Sequence, residues 1–147
     1  MLGIGRDNLV LVETDDNNRM DMGHLRLQVE RLRDRNIRPM ALIGIAGTTE
    51  TGNVDPLEAM ADYAGEIGCH FHVDAAWGGP TLFSQNHRHL LRGIERADSV
   101  TIDGHKQFYM PMSCGMVYFK NPWDLDNIAY HANYIIRPGS VDLGIRS

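Results

Sequence analysis

Two periods of apolar residues alternate along this chain. A period of two, or a short unbroken apolar run, reads as a strand, and a period near 3.6 reads as a helix. The segment NLVLVE at 8–13 places Val10 and Val12 on one face and predicts a first strand. The polar run 14–19 predicts a loop. Asp21 then stands as a candidate N-cap for a helix to about Asn36, with Leu25, Val29 and Leu32 at helical spacing. Pro39 closes that region, and the apolar run 40–46 is short enough for a buried strand. GTTETGNVDP at 47–56 reads as a loop. Asp55 as cap, Pro56 at the first helical position and Glu58 as a capping-box acid predict a second helix. Leu57, Met60, Ala61, Ala64 and Ile67 form its buried face, and Gly68 fits its stop. Residues 70–73 predict a strand, 75–79 a tight turn and 90–96 a short helix. Residues 99–102 and 115–119 predict two further strands.

Strands alternating with helices imply an α/β fold with a mostly parallel sheet covered by helices. Ligands in such sheets sit beyond the C-terminal ends of the strands. Thr48, Thr49, Asp74, Asp103, His105 and Lys106 all fall just after predicted strand ends, so they are candidates for one shared site. There are no internal repeats and no low-complexity segment.

Composition narrows the class. The chain has 147 residues, enough for one domain, with 43% apolar and 22% charged residues. A net charge of −5 and the lack of a basic stripe argue against a general nucleic-acid binder. Arg26, Arg31, Arg33 and Arg35 alternate with apolar and acidic residues, the pattern of a solvated helix face. No apolar run reaches about 18 residues, so no membrane span is expected. The N-terminus has no signal-peptide pattern. Cys69 and Cys114 follow neither a disulfide framework nor a metal-ligand spacing, which fits a reducing, cytoplasmic setting. The last segment, PGSVDLGIRS, holds turn residues but no finished element, as an irregular tail or a chain cut short would.

The chemistry concentrates in two segments. SVTIDGHKQFYMPMSCG at 99–115 carries Lys106 in a loop after a strand, and HFHVDAAWGG at 70–79 ends a strand on Asp74. A lysine that can form a Schiff base and a carboxylate that can hold a ring nitrogen protonated are what pyridoxal 5'-phosphate (PLP) chemistry needs. The plainer alternatives are a solvated surface lysine and a turn-forming aspartate. A buried carboxylate is costly without a partner, which a protonated pyridine would supply. Small Ala76 leaves room for a flat ring against the backbone. Thr48 and Thr49 can close a turn or offer hydroxyls to a ring oxygen or phosphate. His105 can contact phosphate or simply pack, and Asp103 can form a turn or steady the site. A rival reading takes His70, His72 and Asp74 as a zinc site, because alternate strand residues share a face. A third is a non-catalytic fragment that only associates with partners.

Taken together, GTTETGNVDP at 47–56, HVDAAWGG at 72–79, HRHLLRGIERADSV at 87–100 and the pair His105-Lys106 resemble the group II PLP-dependent amino-acid decarboxylases. The pair lies 31 and 32 residues after Asp74 (74 to 105 and 106), a specific combination. The resemblance runs in order from about Arg6 to Phe119. It implies the PLP-dependent transferase-like large domain (fold type I, the aspartate aminotransferase superfamily), with residues 1–147 as its central part and the N-terminal segment and C-terminal small domain absent. It implies that Lys106 carries the cofactor, Asp74 binds the pyridine nitrogen, Ala76 packs on the ring and Thr49 stands at the cofactor. Asp103 and His105 match positions near the phosphate and the lysine. Many members read N-P-H-K where this chain reads D-G-H-K, which leaves the role of Asp103 open. The implied reaction is decarboxylation of an L-amino acid, with aspartate or glutamate favoured. Another PLP-dependent lyase or a desulfurase on the same fold is the nearest alternative. The family is dimeric, with sites at the subunit interface. The isolated 147 residues are therefore expected neither to hold PLP well nor to turn over.

Overall fold

A computed structural model describes residues 4–127. It contains a four-stranded sheet of β1 (Ala41–Ile45), β2 (His70–Asp74), β3 (Ser99–Asp103) and β4 (Gly115–Phe119), in that spatial order. β1 pairs with β2 and β2 with β3 in parallel, while β4 returns antiparallel to β3. Helices α1 (Met22–Asp34) and α2 (Leu57–Ile67) flank it. The mostly parallel α/β arrangement expected from the alternation is thus observed. The PGSVDLGIRS reading lies outside the described residues.

Alternation along the strands decides which face is core. Leu42 and Ala46, Phe71, Val73 and Ala75, and Ile102 point to one side and are buried. They pack with Leu57, Met60, Ala61 and Ala64 of α2 and with Leu91 and Ile94. Gly44 belongs to this face, and a Cβ there would lie 3.1 Å from both Leu57 and Met60, so the helix lies close on the strand. The opposite face carries Ile43 and Ile45 of β1, His70, His72 and Asp74 of β2, and Ser99, Thr101 and Asp103 of β3. Ile43 is half exposed there.

Local signals set the helix ends. The Asp21 carboxylate accepts hydrogen bonds from the N–H groups of Gly23 and His24, at 2.7 and 3.1 Å, and caps α1. The chain leaves helical geometry by Asn36, whose φ is 56°. Gly68 ends α2 in the left-handed conformation (φ 69°, ψ 42°), its N–H donating to Ala64 O.

Three expectations are corrected. Residues 8–13 form no strand. Strand geometry needs a neighbour to take up the backbone groups, and the segment pairs with none of the sheet strands. Leu9 and Leu11 are exposed, while Val12 packs at the core margin and Glu13 N–H donates to His24 Nδ1 at 2.8 Å. Asp55 does not cap α2. Its carboxylate instead accepts from Met20 N–H at 2.7 Å and Ile45 N–H at 2.8 Å, clipping the entry of α1 to the end of β1. The helix expected over 90–96 is two 3-10 turns, Arg88–Leu91 and Ile94–Arg96, split by Gly93 at φ 97°. A Cβ on Gly93 would come within 2.5 Å of Glu58 N, so that glycine lets the chain cross the start of α2.

Candidate active site

The backbone draws the ends of the three parallel strands together. Ala46 N–H donates to Asp74 O at 2.8 Å, Ala75 N–H to Thr101 O at 2.9 Å and Asp103 N–H to Ala76 O at 3.2 Å. The turns after β1 and β2 meet through glycines. A Cβ on Gly78 would lie 2.2 Å from Ala46 O, and Gly47, at φ 97°, faces the Gly78 Cα. The resulting edge carries Asp74, Ala76, Asp103, His105 and Lys106.

Asp74 is exposed at the end of β2, and its Oδ1 accepts from Ala76 N–H at 3.0 Å. Among the described residues its other oxygen has no hydrogen-bond partner. Ala75 is fully buried behind it and Ala76 half-buried beside it. Lys106 Nζ lies 2.9 Å from Asp103 Oδ2, with the two side chains 33% and 17% exposed. Water therefore reaches the amine while the carboxylate is largely shielded. Asp103, the position left open by the sequence, is the direct partner of Lys106.

His105 points inward. Its Nδ1 faces the Cys114 backbone, 2.8 Å from the carbonyl oxygen and 3.2 Å from the amide nitrogen, and its Nε2 lies 3.7 Å from Asp103 Oδ2. The loop between β3 and β4 closes through Gly104 N–H donating to Cys114 O at 2.8 Å and Met110 N–H to Gly104 O at 3.0 Å. A proline at 104 could donate no such bond. A side chain there would collide with Cys114 Sγ, 2.6 Å from the Cβ position. The D-G-H-K departure is thus built into this loop.

The structure separates the two threonines. Thr48 Oγ1 lies 2.8 Å from Thr51 Oγ1 and accepts from Asn53 N–H at 3.1 Å, so it shapes its own loop. Thr49 is exposed, and among the described residues its hydroxyl makes no hydrogen bond.

The zinc reading is corrected. His70, His72 and Asp74 do share a face, but Ser99 Oγ occupies both imidazoles, at 2.7 Å from His70 Nε2 and 2.8 Å from His72 Nδ1. Thr101 Oγ1 lies 3.4 Å from His72 Nε2. Among the described residues no group of three ligands is placed to hold a metal ion. Burial pushes the His72 pKa down, opposed by the Asp74 charge and aided by His70. Ser99, not singled out from the sequence, is set opposite His72 by the strand register. It is the one buried polar side chain among the described residues.

Comparison with known proteins shows the family. Residues 2–145 match the pyridoxal-dependent decarboxylase conserved domain. The chain belongs to the pyridoxal-dependent decarboxylase family. It is 56% identical over 144 residues to the aspartate 1-decarboxylase of Aliivibrio fischeri, covering 98% of this chain and 26% of that protein. It is 37% identical over 135 residues to the L-2,4-diaminobutyrate decarboxylase of Rhizobium meliloti, covering 92% and 27%. The solved structure of mouse CSAD in apo form superposes with a TM-score of 0.86 at 34% identity, over 97% of this chain and 30% of that one. The chain thus spans about a quarter of the length of the curated relatives it matches.

The cofactor of this family is pyridoxal phosphate, and the donor set at the strand ends fits it. There is an amine for an aldehyde, a carboxylate with a free oxygen for a protonated ring nitrogen, and Ala76 beside that carboxylate where a bulky side chain would crowd a ring.

Proposed function

We propose that the protein carrying this chain decarboxylates an L-amino acid with pyridoxal phosphate, and that its substrates are acidic, aspartate or glutamate. The observation that carries this reading is the placing of Lys106 and Asp74 at one edge of the sheet, in a chain of this family. The relative at 56% identity is an aspartate decarboxylase, which supports an acidic substrate over the diamino substrate named for the relative at 37%. On this reading the 147 residues are the central part of the cofactor-binding large domain.

When bound, pyridoxal phosphate supplies an electron sink for the pair left on Cα as CO₂ departs. The residues of this chain do the rest by position and charge. Lys106 would hold the cofactor through its amine. The Asp74 carboxylate holds a proton at the pyridine nitrogen, the largest electrostatic contribution assigned to this segment. Ala76 would support the ring, Thr49 would offer its hydroxyl to the cofactor, and His105 would steady the lysine loop.

Two copies would pair in the working enzyme. The lysine loop supports this, because it exposes Tyr109, Met110 and Met112 beside the site. A cytoplasmic location belongs to the same reading, with Cys69 and Cys114 as free thiols.

Release of CO₂ from a panel of amino acids by the full-length protein tests the function. Release from aspartate or glutamate is expected, and the Lys106→Ala variant should release none. Release only from aromatic or diamino acids would overturn the substrate class. No release from any amino acid by cofactor-loaded protein would overturn the activity.

A further inference from the structure

We infer that Asp103 is a positioning residue that holds the Lys106 ammonium whenever the amine is not bonded to cofactor. The inference rests on the proposed role of Lys106 and adds a partner to it. Three observations carry it. Lys106 Nζ lies 2.9 Å from Asp103 Oδ2, a charge-assisted contact, and the carboxylate is only 17% exposed. Asp103 is itself held in place, since it ends β3 and its N–H donates to Ala76 O at 3.2 Å. The charged and titratable groups around the pair leave Lys106 as its natural partner: His105 Nε2 is further away, at 3.7 Å, and its Nδ1 is already engaged by Cys114.

The chemistry follows from where the proton sits. An ammonium has no lone pair, so Lys106 must shed its proton to water and leave Asp103 before it can bond the cofactor aldehyde with loss of water. The amine is one-third exposed, which lets water carry that proton in either direction. Asp103 thus parks the lysine at the edge of the site in a fixed place and slows its return. A neutral amide of the same shape keeps the place without the charge.

Limiting acetic anhydride on cofactor-free, full-length enzyme reads this directly. Mass spectrometry then gives the labelling rate of Lys106 relative to Lys120, the other lysine of this chain. In Asp103→Asn the ratio should rise about threefold, the scale of a partly exposed ion pair, and Asp103→Glu should restore most of the protection. Capture of added pyridoxal phosphate should quicken in step. If Asp103→Asn fails to fold, the same ratio in the unaltered enzyme should rise as salt screens the pair. A ratio that neither the variant nor salt moves would overturn the inference. The cofactor role of Lys106 stands or falls separately, by whether borohydride fixes pyridoxal phosphate on that lysine in the unaltered enzyme.

Discussion

At the scale of single residues, charge and desolvation set the properties of the strand-end edge. Asp74 offers a carboxylate oxygen with no partner among the described residues, so removing its charge should act on the cofactor more than on the fold. Asp74→Asn is expected to weaken pyridoxal phosphate binding about 10- to 100-fold, the range of a charge-assisted hydrogen bond, with little change in melting temperature. Fluorescence titration with the cofactor measures it, and unchanged affinity would count against the assignment. His72 gives a pH signature. Burial lowers its pKa below the ordinary 6.5, so on acidification the unfolded chain takes up a proton at this position before the folded one does. The sign is therefore a loss of stability as pH falls below about 6.5, with no contribution above it. His72→Gln should lessen the fall in melting temperature between neutral and mildly acidic pH, and an unchanged fall would exclude that role. That Asp74 closes a strand and Lys106 follows one was legible from the pattern of the chain. The Lys106–Asp103 pair and the Ser99 bridge were not, because both depend on side chains brought together by register and by a loop closure that spacing does not encode.

At the scale of elements, the pattern of apolar residues located both helices and all four sheet strands, and all but β4 bury residues in the core. It failed where an apolar pattern lacked a partner or a polar residue had a distant one. Residues 8–13 alternate like a strand but pair with no sheet strand, and Glu13 N–H turns to His24 instead. Asp55 has the sequence position of a helix cap, yet it satisfies two N–H groups from separate segments. Asp55→Ala leaves Met20 N–H and Ile45 N–H without that acceptor and should cost about 1–3 kcal/mol in denaturant unfolding. Gly78 presses on Ala46 O, so Gly78→Ala forces the turns after β1 and β2 apart. A loss of about 1–3 kcal/mol is expected, together with weaker cofactor binding, because that contact sits at the site edge. Full stability in this variant would refute the close approach.

At the scale of the whole molecule, the parallel strands bring their C-terminal ends to one edge, and that edge carries Asp74, Asp103, His105 and Lys106. The antiparallel return of β4 closes the lysine loop against β3. The opposite sheet face, with Ile43 and the Ser99-bridged histidines, carries no group of metal ligands among the described residues. The fold was legible because alternation of strands and helices permits few topologies, whereas substrate choice was not, because nothing in this segment was read as gripping a substrate side chain. We propose Lys106 as the cofactor lysine, and the proposed function stands on that assignment. Its most direct test is borohydride reduction of the cofactor-loaded, full-length protein, followed by digestion and mass spectrometry. The phosphopyridoxyl group is expected on the peptide holding Lys106, and none there in Lys106→Ala. The same group on another lysine, or on no lysine at all, would contradict it.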